Sequence, residues 1–253
     1  MNLEGKTAVI TGSSRGIGRG IALALAAQGC NIAVNYVRNR DAAQETADAI
    51  NKMGVGAKIF KAHVGREEDI RQLVEGAATT FGGVDIFVGN AASGVLRPIT
   101  DIDARDWDWT LNINARSILF GVQSALPFMK RSGWGRVVTI TSIGSRRVYP
   151  AYSAVGVSKS AIEALTRYLA VELAPDGIIA NCVSPGLVLT DALDFFDGKE
   201  AMIDHANSHT PAGRLTTPDD VGRVVAWLCS DMASMIVGQT IEVDGGYSLV
   251  MGV

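Results

Sequence analysis

Thr11-Gly12-Ser13-Ser14-Arg15-Gly16-Ile17-Gly18 follows a short β-prone run, Thr7–Thr11, and opens an apolar-periodic stretch near 16–29. A strand that turns through glycines directly into a helix begins a βαβ unit. Glycine lets the backbone turn tightly and approach a pyrophosphate, and the first helical turn presents unpaired N–H groups to it. Gly12, Ser14, Arg15, Gly16, Ile17 and Gly18 are therefore the expected phosphate-binding residues of a dinucleotide site. The alternative is a tight strand-to-helix turn that binds nothing.

The rest of the chain repeats this alternation. Strands are expected at Thr7–Thr11, Asn31–Tyr36, Ala57–His63, Val84–Gly89, Arg136–Thr141, Ile178–Val183 and Gln239–Val243. Helical patterns lie near 16–29, 40–53, 67–81, 103–131, 153–174 and 218–230. Near-continuous apolar strands separated by helices predict parallel strands buried on both faces. The expected fold is α/β: a single doubly wound Rossmann-type domain over 1–253, with a seven-stranded parallel sheet and helices on both faces. Thr217-Pro218-Asp219-Asp220 has the residues of a helix start. Only Asp191–Arg214 lacks a clear period, and it is expected to form a substrate flap.

The second strand ends in Asn35-Tyr36-Val37-Arg38-Asn39-Arg40. A site for NAD usually places a carboxylate here, on the ribose 2′-hydroxyl. None stands at the strand tip. Arg38, with Arg15, would instead neutralise a 2′-phosphate, so the expected cofactor is NADPH. Asp41 lies close by, and the alternative leaves Arg38 and Arg40 as solvated loop charges.

The chain has 253 residues, 47% of them apolar and 19% charged, so a large core is available. A net charge of −3 argues against a nucleic-acid partner. No apolar run approaches the roughly eighteen residues that span a bilayer, and Met-Asn-Leu-Glu-Gly-Lys enters a strand without a signal-like apolar region. Cys30, Cys182 and Cys229 are far apart and sit in apolar segments, which fits buried thiols in a cytoplasmic protein.

Tyr152 and Lys159 are seven residues apart at the start of the 153–174 helix. On a helix this spacing leaves them roughly 20° short of eclipsed and about 10 Å apart along the axis. A cation on the same face is expected to lower the phenol's pKa and make it a better proton donor. The plain alternative is a half-buried tyrosine and a surface lysine.

Together these motifs resemble the short-chain dehydrogenase/reductase family over essentially the whole chain. Asn90-Ala91-Ala92 stands at the family's Asn-Asn-Ala-Gly. Asn114, in Leu-Asn-Ile-Asn-Ala-Arg, is similar to the catalytic-tetrad asparagine, and Ser142 to the catalytic serine. Ser184-Pro185-Gly186, then Val188 and Thr190, resemble the stretch that contacts the nicotinamide amide, and Val243-Asp244-Gly245-Gly246 resembles the closing strand and turn. The resemblance implies catalytic roles for Asn114, Ser142, Tyr152 and Lys159. It also implies cofactor contacts at Asn90, Ala91, Lys159, Pro185, Gly186, Val188 and Thr190. His63, beside Val64, stands where the family has an aspartate touching adenine. Relatives are often tetramers built on the helices near 103–131 and 153–174, so a homotetramer is expected.

The family's usual pattern is Tyr-x3-Lys, but the residue four before Lys159 is Val155. Tyr-x6-Lys with a retained serine resembles the enoyl-acyl-carrier-protein reductases, most closely the NADPH-using type III enzymes. The stretches 90–98, 106–109, 155–173 and 210–214 carry that likeness. In carbonyl reduction hydride and proton go to directly bonded atoms, about 1.2 Å apart. In an enoyl thioester the charge develops on an oxygen three bonds from the hydride acceptor. Moving a tyrosine three residues back along a helix shifts its origin by about 4.5 Å, a displacement of fitting size. The expected substrate is a trans-2-enoyl thioester on an acyl carrier protein. The alternatives are a 3-oxoacyl reductase and a non-catalytic dinucleotide-binding protein.

Tyr149 is expected to line the substrate pocket. His205 and His209 have metal-like i, i+4 spacing but no third ligand, so no metal is expected. Trp107 and Trp109 point to different sides of a helix, which puts at least one in the core or a subunit contact. Arg97, Arg146 and Arg147 are read as solvated arginines, with an acidic carrier as the alternative partner.

Overall fold

A computed structural model of the chain describes residues 2–196 and 198–250. Seven parallel strands form one sheet in the order β3-β2-β1-β4-β5-β6-β7. They are β1 (Thr7–Ile10), β2 (Asn31–Tyr36), β3 (Ala57–Lys61), β4 (Ile86–Gly89), β5 (Gly135–Ile140), β6 (Ile178–Pro185) and β7 (Thr240–Val243). Strand order reverses between β1 and β4, whose registered pairs include Val9 with Phe87. That reversal opens a crevice at the carboxyl ends of these strands, where ligands of such sheets bind.

The helices are α1 (Gly16–Ala26), α2 (Arg40–Asn51), α3 (Glu67–Phe81), α4 (Ala104–Leu111), α5 (Ser117–Ser132), α6 (Ser153–Leu173), α7 (Lys199–His209) and α8 (Pro218–Cys229). One core packs Ile21, Leu25, Val221 and Val225 against one face of the sheet. A second core packs Leu73, Val122, Met129 and Ile162 against the other. Each fully buried Leu or Ile side chain contributes about 1.5–3 kcal/mol. Thr217 caps α8 as its sequence predicts, accepting from Asp220 N–H while the Asp220 carboxylate accepts from Thr217 N–H.

Three expectations change. The helix near 103–131 is two helices joined by a π-helical turn, Asn112–Arg116. The extra residue in that turn is the sort of local irregularity found at functional sites. Segment 191–214 is not irregular throughout: a 3-10 turn, Asp191–Phe195, precedes α7. Helix α7 buries only Ala206, so its sequence shows no apolar stripe. Strand β3 stops at Lys61 rather than His63, because the His63 N–H donates to the Asp69 carboxylate at 2.9 Å.

Candidate active site

The glycine turn is held open from both sides of the strand reversal. The Asn35 side chain accepts from Gly12 N–H at 2.9 Å and donates to Ala62 O at 3.1 Å. The Asn90 amide donates to the carbonyls of Thr11 (2.8 Å) and Gly12 (3.1 Å). Thr11 Oγ1 accepts from Asn90 and Ala91 N–H, both at 3.0 Å. Asn90 and Ala91 therefore brace the turn with these groups. Asn35 and Thr11, which sequence reasoning passed over, do the same. A methyl group on Gly18 would lie 2.3 Å from Gly12 O, so the loop closes only with glycine there. Helix α1 has no capping side chain and no acidic residue in its first turn. Its amino end, with Ser14, Arg15, Gly16, Ile17 and Gly18, fits a dinucleotide pyrophosphate.

Beyond the turn, Arg38 is exposed and has no ion pair among the described residues. Arg15 is not free. Its guanidinium pairs with Asp191 at 2.6 Å, and a methyl on Gly16 would come within 3.3 Å of Thr190. The segment after β6 thus crosses to the glycine turn. Val188, in a bridge with Thr216, Gly186, whose N–H donates to Val243 O, and Pro185 at the end of β6 set its course. The His63 ring packs edge-on to Trp109 at 5.4 Å, its Nδ1 buried without a partner, and Val64 joins a small cluster with Ile70 and Ile113.

Tyr152 is the residue before α6, with φ −107° and ψ 10°, not a member of the helix. Ala151 sets its approach with φ +61° and a carbonyl held by Arg97 N–H. That left-handed backbone costs a non-glycine residue about 1–2 kcal/mol. The phenol ring lies against the turn Ile143–Ser145: a methyl on Gly144 would sit 2.5 Å from Tyr152 Cε1 and 3.4 Å from Ser142 Oγ. Ser142 Oγ is buried and bonds to no group other than the neighbouring Tyr152 phenol.

The expectation of a lysine-acidified phenol fails. Burial pushes the Tyr152 pKa up, and the Ser142 hydroxyl pulls it partly back; Lys159 is not among the influences. The reason is geometric. Tyr152 stands outside the helix, and Lys159 Nζ donates to Ile140 O at 2.9 Å. Burial brings the Lys159 pKa down to about 8. Asn114 lies in the π-helical turn, fully buried, accepting from Ser93 N–H and donating to Ser158 Oγ, both at 2.8 Å. It ties the loop after β4 to the residue beside Lys159.

The usual position of the family tyrosine holds a buried apolar side chain packed beside Gly94. Val155 is 8% exposed, and a methyl on Gly94 would come 2.3 Å from its Cγ2. Tyr149, Tyr152 and Phe196 form a three-ring cluster with centroids 5.9–6.3 Å apart. Phe196 had no sequence signal, because only the fold brings that segment to Tyr152. Arg97 pairs with Asp106, Arg146 with Glu242, and Arg147 donates to Ser248 O, so all three guanidiniums are engaged. Neither Trp107 nor Trp109 enters the core: they are 40% and 43% exposed. His205 and His209 stack at 3.9 Å. Among the described residues, no group of three ligating side chains could hold a metal, and no helix is long and apolar enough to cross a membrane.

A phosphate cradle at the sheet's reversal point, with a phenol, a buried serine and a buried lysine beyond it, fits a dinucleotide-dependent oxidoreductase. A family model described as enoyl-(acyl carrier protein) reductase matches residues 12–248. The chain is 39% identical to 1-cyclohexenylcarbonyl-CoA reductase of Streptomyces collinus, covering 97% of this chain and 88% of that one. It is 33% identical to a 3-oxoacyl-[acyl-carrier-protein] reductase of Staphylococcus epidermidis, over 95% of this chain and 98% of that protein. A solved 7α-hydroxysteroid dehydrogenase complexed with NADH and 7-oxo glycochenodeoxycholic acid superposes with a TM-score of 0.92 at 33% identity, covering 97% and 95% of the two chains. The protein belongs to the short-chain dehydrogenase/reductase family.

Proposed function

We propose that the protein uses NADPH to reduce the 2,3 double bond of trans-2-enoyl thioesters carried on an acyl carrier protein. The observation that carries this reading is the buried Ser142 hydroxyl beside the Tyr152 phenol, while Val155 occupies the family's usual tyrosine position against Gly94. Exposed Arg38, with no carboxylate at the tip of β2, supports the phosphorylated cofactor.

A bound NADPH would supply the hydride for the substrate β-carbon. Tyr152 O–H donates to the thioester oxygen as negative charge grows there, and Ser142 is the second donor. A raised phenol pKa suits this role, since Tyr152 stays protonated and acts by hydrogen bonding. Lys159 has one N–H committed to Ile140 O, and its others would hold the cofactor ribose. Asn114 fixes the π-helical turn and Ser158, and thereby Lys159. The enolate then takes a proton at the α-carbon from solvent water, which leaves hydroxide to the bulk and completes the saturated thioester. Tyr149 and Phe196 shield the oxygen from water.

The exposed outer face of α6, with Val157, Tyr168 and Val171, supports a homotetramer, which sedimentation tests. Three buried free thiols fit a reducing cytoplasm.

The deciding experiment compares NADPH oxidation on crotonyl and acetoacetyl thioesters, for wild type and Tyr152→Phe. Enoyl turnover that falls by about 10²–10³ in the variant is expected. Undiminished turnover in Tyr152→Phe removes the tyrosine from the mechanism. Preference for the acetoacetyl thioester sinks the enoyl assignment.

A further inference from the structure

Glu163 lies one turn beyond Lys159 on α6 and is 9% exposed. Its Oε1 accepts from Ser145 Oγ at 2.5 Å and from Thr141 Oγ1 at 3.1 Å. Ser160, on the same helix, donates to Ser145 O at 2.6 Å. Ser145 is thus gripped through both its hydroxyl and its carbonyl. Its own N–H donates to Ser142 O at 3.0 Å, closing the turn that carries Ser142 and Gly144. The other side of that turn presses on α6 directly: a methyl on Gly156 would lie 2.8 Å from Gly144 O. A carboxylate is an expensive way to fill buried space, and an apolar side chain of like volume would do so with less desolvation. What the carboxylate adds is a fixed acceptor for two hydroxyls.

We infer that Glu163 is a positioning residue that clamps the Ser142–Ser145 turn to α6, fixing the Ser142 hydroxyl against the Tyr152 phenol. This rests on the reading that Ser142 and Tyr152 share the substrate oxygen. The hydrogen bonds of Glu163 go to Ser145 and Thr141 and not to the glycine turn, so it acts on turnover and not on cofactor binding.

The test uses Glu163→Leu, Glu163→Gln and Ser145→Ala in the full chain, with kcat and KM on crotonyl thioester and NADPH affinity by fluorescence. For Glu163→Leu, kcat falls about 30-fold or more while NADPH affinity stays within about threefold, as expected for a displaced donor. Glu163→Gln keeps the acceptor oxygen and restores kcat to within about threefold of wild type. Ser145→Ala leaves α6 intact and reproduces most of the loss. Combined with Glu163→Leu, it costs no more than the larger single effect. Should Glu163→Leu fail to fold, Ser145→Ala decides. Unchanged kcat in Ser145→Ala, equal damage in Gln and Leu, or a loss confined to NADPH affinity overturns the clamp. If wild type reduces acetoacetyl but not crotonyl thioester, the enoyl reading fails, and the clamp is judged by the same ratios on the acetoacetyl substrate.

Discussion

Gly144→Ala probes the contact between the serine-bearing turn and the phenol. Gly144 is outside the left-handed region, so alanine brings no backbone strain and the added methyl acts as a steric wedge. That methyl would sit 2.5 Å from Tyr152 Cε1 and 2.9 Å from Cδ1. Ordinary carbon contacts begin near about 3.5 Å, so the ring or the turn must give by about 1 Å. A displacement of that size at the reacting groups costs about 100-fold in kcat. Overpacking costs about 1–3 kcal/mol of stability. The glycine cradle is braced separately by Asn35 and Asn90, so cofactor affinity stays unchanged. Steady-state turnover on crotonyl thioester, NADPH titration by fluorescence and urea unfolding check the three parts. Wild-type kcat in a folded Gly144→Ala protein refutes the idea that the turn sets the phenol's position.

Lys159→Met abolishes turnover yet stabilises the protein without cofactor. The folded pKa of about 8 lies below the ordinary lysine value of 10.5, so the unfolded chain holds more protons between these values. The resulting penalty, about 3 kcal/mol, is fully present below pH 8 and disappears as pH rises to 10.5. Urea unfolding of both proteins at pH 7 and 10.5 measures it, and a wild-type–variant gap that does not narrow at high pH contradicts it. Arg38→Leu weakens NADPH binding by about 10–100-fold and leaves NADH binding alone, as loss of a charge-assisted phosphate contact requires; equal losses for both would show that Arg38 does not read the phosphate. Val155→Tyr, which restores Tyr-x3-Lys, loses about 1–3 kcal/mol of stability against Gly94 and gains no acetoacetyl reduction. Melting temperature and the two-substrate assay report both outcomes.

The sequence alone was enough for the alternation of strands and helices, the parallel sheet and the cradle at Thr11–Gly18. These follow from local periodicity and from glycines at a strand-to-helix junction. The pair Tyr152 and Lys159 was legible as a spacing. What that spacing does was not, because Tyr152 lies outside α6 and Lys159 spends an N–H on a carbonyl of β5. Helix α7 escaped notice because it buries one residue, and the π-helical turn at Asn114 because its period differs from the flanking helices by a single residue. Phe196, Asn35 and Glu163 entered the site only through chain crossings of tens of residues. Tertiary structure decided how the phenol is held, since pKa, orientation and access depend on burial and on neighbours distant in sequence, and a linear pattern encodes neither.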